Sequence, residues 1–142
     1  MLTVRHLLEK KSRALRAIAP DAPVLDAIRS MAEHHVGALV VMQKDELLGI
    51  VSERDYARKV ILLGRSSAHT PVREIMTSPV ITVSPLSTLD ECMRVVTQNR
   101  VRYLPVIENG RVVGVVSIGD LIKAVIEDQQ HTIEQLESYI HS

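Results

Sequence analysis

The chain has 142 residues, 46% hydrophobic and 24% charged, with 17 Lys plus Arg against 17 Asp plus Glu and only 2% aromatic residues. That balance is globular rather than disordered; zero net charge argues against a general DNA binder, and the scarcity of rings against single-strand binding by base stacking.

Thr3-Val4-Arg5 opens an amphipathic helix, and charges within MLTVRHLLEKK argue against a signal peptide. Residues 16–19 read as a short extended piece ended by Pro20, which cannot donate to a sheet ladder. Val24, Ala27, Ile28 and Met31 recur at helical spacing, with Asp21 as the expected N-cap. Two strands follow, 38–42 and 47–51, joined by the polar turn Gln43-Lys44-Asp45-Glu46, and then a helix over 53–63. Residues 64–70 read as a linker, and Pro71 to Met76 opens a helix like the one at Thr3. The order then repeats: an extended piece over 80–83, Pro85, and Ser87 as a cap. A helix with Leu89, Cys92, Met93 and Val96 comes next, then strands 103–107 and 112–116 around Glu108-Asn109-Gly110-Arg111, and a helix over 118–128. Thr132 to Ile140 forms a separate segment with Ile133, Leu136 and Ile140 on one face, suited to capping the domain or meeting a partner chain. No apolar run exceeds roughly five residues, too short to cross a bilayer.

The two halves match at a shift of 65 residues without a gap. Pro20 falls on Pro85, Arg29 on Arg94, Leu39 on Leu104, Gly49 on Gly114, Ser52 on Ser117 and Asp55 on Asp120. Each half ends in Gly-h-Val-Ser-x-x-Asp, with h apolar, where a strand meets a helix. Ser-x-x-Asp is a near relative of the capping box, so one reading of Ser52/Asp55 and Ser117/Asp120 is purely structural. The other is a ligand site. A helix N-terminus suits a phosphate, a carboxylate can accept from a ribose diol, and Gly49 and Gly114 would clear side chains from a ligand's approach.

Two copies of strand, helix, strand, strand, helix, each ending in that motif and each holding an equivalent of Val101-Arg102-Tyr103-Leu104-Pro105-Val106, resemble a tandem pair of CBS domains, a Bateman module. The resemblance implies an α+β fold of two βαββα repeats related by a pseudo-two-fold axis, with flanking terminal helices. It also implies adenosine ligands (AMP, ADP, ATP, NAD or S-adenosylmethionine) and regulation of another protein. The expected divisions are 1–65 for the first repeat with its N-terminal helix, 66–128 for linker and second repeat, and 129–142 for a C-terminal helix. With no catalytic domain attached, the chain looks like a stand-alone sensor. By the same resemblance one nucleotide site takes Ser52, Arg54 and Asp55, with Ile81, Thr82, Arg102 and Tyr103 from the other repeat. The second takes Ser117, Gly119 and Asp120, with Arg16, Ala17, Gly37 and Ala38 opposite. Asp55 and Asp120 would hold ribose, Ser52 and Ser117 phosphate, and Arg54 and Arg102 would neutralise phosphate charge. Two departures make the sites unequal: Val40 stands where the family often has proline, and Gly37-Ala38 where the second repeat has Arg102-Tyr103.

Glu33-His34-His35 lacks the spacing of a metal motif and reads as a helix end. Cys92, the single cysteine, excludes an internal disulfide, points to the cytoplasm, and sits on an apolar helix face as a buried small hydrophobe. Arg58, Lys59, Lys123 and Arg65 are solvated charges or phosphate contacts, and Tyr103 lines either core or pocket. Three function classes stay open: a nucleotide-binding regulatory module, a structural dimerisation module, and an enzyme acting on a nucleotide. Against the last, no G-x-G-x-x-G follows a strand and no Walker pattern is present. A homodimer and an unidentified regulated protein are the expected partners, with no nucleic acid, membrane or metal.

Overall fold

The computed structural model describes residues 2–11 and 15–141, with the side chain of His141 left out. The elements run α1 (Val4–Lys10), β1 (Ala17–Ile18), α2 (Val24–His34), β2 (Ala38–Gln43), β3 (Glu46–Ser52), α3 (Glu53–Tyr56), α4 (Leu89–Asn99), β4 (Tyr103–Glu108), β5 (Arg111–Ser117) and α5 (Ile118–His141). The expected α+β repeat is present twice. The 65-residue shift maps α2 onto α4 end to end, including the left-handed residues that stop them, His35 at φ 54° and Arg100 at φ 52°.

The chain forms two compact units. One is built mainly from residues 15–81, the other from α1 with 82–108 and the residues from 113 onward. In the first, β1 pairs parallel with β2 and β2 antiparallel with β3, with Ile18 opposite Val41 and Ala38 opposite Ser52. Its core is Val24, Ala27, Met31, Leu39, Val41, Val51, Val60, Val72 and Ile75. In the second, β4 and β5 form a hairpin, with Asn109 and Gly110 both at positive φ in the turn, as that dipeptide favours. Leu89, Cys92, Val96, Leu104, Val106, Val116, Leu121 and Ala124 are buried there. Burial pushes the Cys92 thiol up, reinforced by the charge of Glu91, so it stays protonated and inert.

The extended piece of the second repeat shrinks to one bridge, Val83 with Val106. Val83 donates to Pro105 O at 3.0 Å and accepts from Ile107 at 2.9 Å. Pro105 has no N–H to continue that ladder, whereas Val40 at the equivalent position keeps its own and β1 forms two pairs.

The expected division 1–65 and 66–128 does not match these units, because the segments preceding the repeats are exchanged. Val72 and Arg73 donate to the carbonyls of Ala22 and Pro20 in the first repeat, at 2.8 and 2.9 Å. Val4 and Arg5 make the same bonds to Ser87 and Pro85 in the second, both at 2.9 Å. The helix expected after Pro71 is a single 3-10 turn, Val72–Glu74.

The caps also differ from expectation. Thr88, not Ser87, caps α4 in a full capping box with Glu91, while Pro23 rather than Asp21 precedes α2. The free amides of Val24 and Leu25 are instead taken by the carbonyls of Thr70 and Ser67, at 2.8 and 3.0 Å, so no capping side chain is needed. Asp21 pairs with Arg73. The helix over 53–63 is α-helical for four residues and then widens into a π-helix, Ala57–Ile61. The second repeat's helix does not stop at residue 128: α5 absorbs the segment expected as a separate C-terminal helix. Among the described residues no helix is long and apolar enough to cross a membrane.

Candidate functional site: two Ser-x-x-Asp helix starts

Each unit presents its motif at a strand-to-helix junction. In the first, β3 delivers Ser52 as N-cap, its hydroxyl accepting from the Asp55 amide at 3.2 Å. The Ser52 amide and hydroxyl donate to Asp55 Oδ2 at 2.9 and 3.0 Å. Asp55 Oδ1 faces Lys59 Nζ at 3.2 Å and the Thr77 hydroxyl at 3.5 Å. In the second unit, β5 delivers Ser117, which accepts from the Asp120 amide at 3.1 Å and donates its own amide to Asp120 Oδ2 at 2.8 Å. Lys11 Nζ meets the same oxygen at 2.7 Å and also donates to the Val115 carbonyl at 2.9 Å.

The capping-box reading is therefore realised in both copies, and each carboxylate also carries an ammonium. The two lysines have different origins. Lys59 sits one helical turn beyond Asp55, while the equivalent position of the second repeat is the buried Ala124, and Lys11 fills the role from the end of α1. Partial burial pushes the Asp120 carboxyl up, but the bonds and charge of Lys11 and the Ser117 amide outweigh it and hold it below the usual carboxylate range. The Asp120 side chain stays 30% exposed against 13% for Asp55, so the second site is the more accessible of the two.

The glycines do a different job from the expected one. A Cβ on Gly49 would lie 2.7 Å from Met76 Sδ and 2.9 Å from the Thr77 carbonyl, and one on Gly114 would lie 2.7 Å from Leu8 Cδ2. They clear space for the exchanged segments of the chain, not for a ligand. Gly49→Ala is accordingly expected to cost about 1–3 kcal/mol, because a backbone carbonyl must move, while Gly114→Ala costs well under that because Leu8 can change rotamer. Urea midpoints of the two variants check the ordering.

The remaining expected residues separate by unit. Gly37 accepts from the Glu53 amide at 3.0 Å, and Arg102 from the Ile118 amide at 2.8 Å, so each lies beside the helix start of its own repeat. Ala38 opens β2 beside Ser52, with Arg16, Ala17 and Ile81 in the same unit and Arg54 exposed on α3. Tyr103 opens β4, half-buried, and Thr82 and Gly119 are exposed in the other unit. His34 and His35 end α2 as expected, Arg65 is paired with Glu74, and Arg58 and Lys123 are exposed. Lys11 is the residue sequence reasoning missed: its partner is 109 positions away, and no local pattern points to it.

Chemically, each junction offers a carboxylate able to accept from hydroxyls, a serine able to bond either way, and an ammonium able to face an anion. The family model for the CBS domain matches residues 4–61 and 72–127. The chain belongs to the CBS-domain family. It is similar to the CBS domain-containing protein CBSX3, mitochondrial, of Arabidopsis thaliana, 45% identical over 125 residues and 84% of this chain. That alignment spans 61% of the Arabidopsis protein, so the chain covers about three-fifths of that relative. The CBS domain-containing protein YhcV of Bacillus subtilis is 31% identical over 73% of this chain and 74% of its own. Among solved structures, a protein with CBS domains from Burkholderia ambifaria, named for signal transduction, superposes with a TM-score of 0.85. It is 48% identical, covering 89% of this chain and 96% of its own.

Proposed function

We propose that the chain is a regulatory module that binds adenosine nucleotides of the AMP, ADP, ATP or NAD class and passes its ligand state to a partner protein, without catalysing a reaction. The observation that carries this reading is the recurrence of one constellation in both units: serine, aspartate and lysine gathered at a strand-to-helix junction, built from different parts of the chain each time. A structural cap needs only the serine and the acid; the added ammonium supplies what a phosphate would meet. Asp55 and Asp120 are the ribose-binding groups in this reading, Ser52 and Ser117 the hydroxyl contacts to phosphate, and Lys59, Lys11, Arg54 and Arg102 the cations. The module acts as a homodimer.

A second reading, a structural module whose boxes only cap helices, is favoured by the involvement of Oδ2 of both aspartates in capping bonds. Thermal melting separates the two. A ligand at about a hundred times its dissociation constant adds roughly 2.7 kcal/mol, or about 8 °C for a chain of this size. AMP, ADP, ATP or NAD is expected to produce that shift and CMP or UMP far less. A melting temperature unmoved by all four adenosine ligands at millimolar concentration leaves the structural reading standing.

A further inference from the structure

Beyond its first two turns α5 is no longer part of a buried core, although Lys10 of α1 still pairs with Glu127. Leu121 and Ala124 are buried, but every described side chain from Ile126 to Ile140 is exposed. Along it, Ile122, Ile126, Gln129, Ile133, Leu136 and Ile140 follow at steps of four, three, four, three and four. That alternation keeps a seam on one side of a helix supercoiled at about 3.5 residues per turn. The five apolar members are between 46% and 73% exposed, a row of large side chains left open along one face.

The charges flanking the seam say what covers it. Lys123 is the single lysine or arginine between Ile118 and Ile140, and Glu127, Asp128, Glu134 and Glu137 all lie beyond it. Lys123 directly follows seam residue Ile122, and Glu137 directly follows seam residue Leu136, so the two occupy the same flank. An antiparallel copy of the same helix sets Ile126 against the partner's Leu136, Ile133 against the partner's Gln129 and Ile140 against the partner's Ile122. In that register Lys123 falls beside the partner's Glu137, twice by symmetry. A parallel copy would leave Lys123 without an acid and lay the acidic halves and the helix dipoles side by side. An anionic membrane surface would be repelled by the same acidic residues.

We propose that α5 pairs antiparallel with α5 of a second copy of this chain through this seam, with the Lys123–Glu137 pairs fixing direction and register and Gln129, set against Ile133, weakening the seam. The proposal deepens the homodimer reading above and rests on it. Sedimentation equilibrium of the full chain tests it. Wild type is expected to sediment at twice the chain mass. Ile133→Glu is expected to weaken association about a hundredfold or more, by placing charge in the seam, and Gln129→Leu to tighten it about tenfold. Both positions are exposed within their own unit, so both variants keep the wild-type circular dichroism. Glu137→Lys alone weakens the dimer, and adding Lys123→Glu restores it.

A monomeric wild type at tens of micromolar overturns the seam and the homodimer together. A dimer indifferent to Ile133→Glu and Gln129→Leu overturns the seam alone, leaving self-association through another face. A charge swap that fails to restore overturns the antiparallel direction. The nucleotide reading is judged separately, by the melting shift.

Discussion

Replacing Asp120 by alanine is expected to weaken AMP binding at one site by about 10- to 100-fold, the loss of one charge-assisted bond to a diol at about 1.5–3 kcal/mol. Asp55→Ala should do the same at the other site, so calorimetry of each variant should show one site retained. Both changes also remove a cap, costing about 0.5–2 kcal/mol of stability whatever the ligand does. Asn at the same position separates the two effects. Its carbonyl still accepts from the Ser117 amide, but it no longer carries the charge that pairs with Lys11 or strengthens bonds to ribose hydroxyls. Asp120→Asn with wild-type AMP affinity would sink the ribose assignment.

The same carboxylate carries a pH signature. Its folded-state pKa lies below the ordinary value, so it contributes stability that is fully present above about pH 4, the unfolded carboxylate range, and is lost as pH falls through the folded value. Urea midpoints between about pH 2 and 6 are expected to fall for wild type, and by a smaller amount for Asp120→Asn, which has no proton to take up.

The largest losses of stability are expected from the matched pair Leu39→Ala and Leu104→Ala. Both side chains have no exposed surface, and each starts the buried run of its strand. Truncating such a leucine removes its transfer free energy and leaves a cavity, about 2–5 kcal/mol in all. Leu39 belongs to the core with Met31 and Val51, and Leu104 to the unit of Cys92 and Leu121. Amide hydrogen exchange should therefore rise first in α2 and β3 for the one, and in α4 and β5 for the other. A cost below about 1 kcal/mol would contradict the burial of either.

The parts of the fold that a repeat can reveal were legible. A gap-free shift of 65 residues carries apolar spacing, hairpin turns and helix ends from one copy to the other, down to His35 and Arg100. What the repeat could not reveal is which copy a flanking segment joins. Thr3 to Lys11 and Pro71 to Thr77 match their targets at a shift nearer 68, and nothing local in either says that it crosses to the other repeat. Lys11 and the true purpose of Gly49 and Gly114 were hidden for that reason. The caps failed differently. Proline at position 23 looks like a poor start until the carbonyls of Ser67 and Thr70, far along the chain, supply what a side chain usually does. The break expected after residue 128 falls inside a polar run, Asp128-Gln129-Gln130-His131, but polarity does not stop a helix; glycine or proline does, and neither occurs from Leu121 to Ile140.

That uninterrupted rod has a mechanical consequence. Its base holds Gly119 and Asp120, and the whole helix is 24 residues long, about 36 Å at 1.5 Å per residue. A tilt of about 5° at the base carries the tip sideways by about 3 Å, roughly the difference between a seated and an unseated side chain in a helix groove. Any change in direction of α5 where Leu121 and Ala124 seat it would thus reach the tip multiplied by the length of the rod.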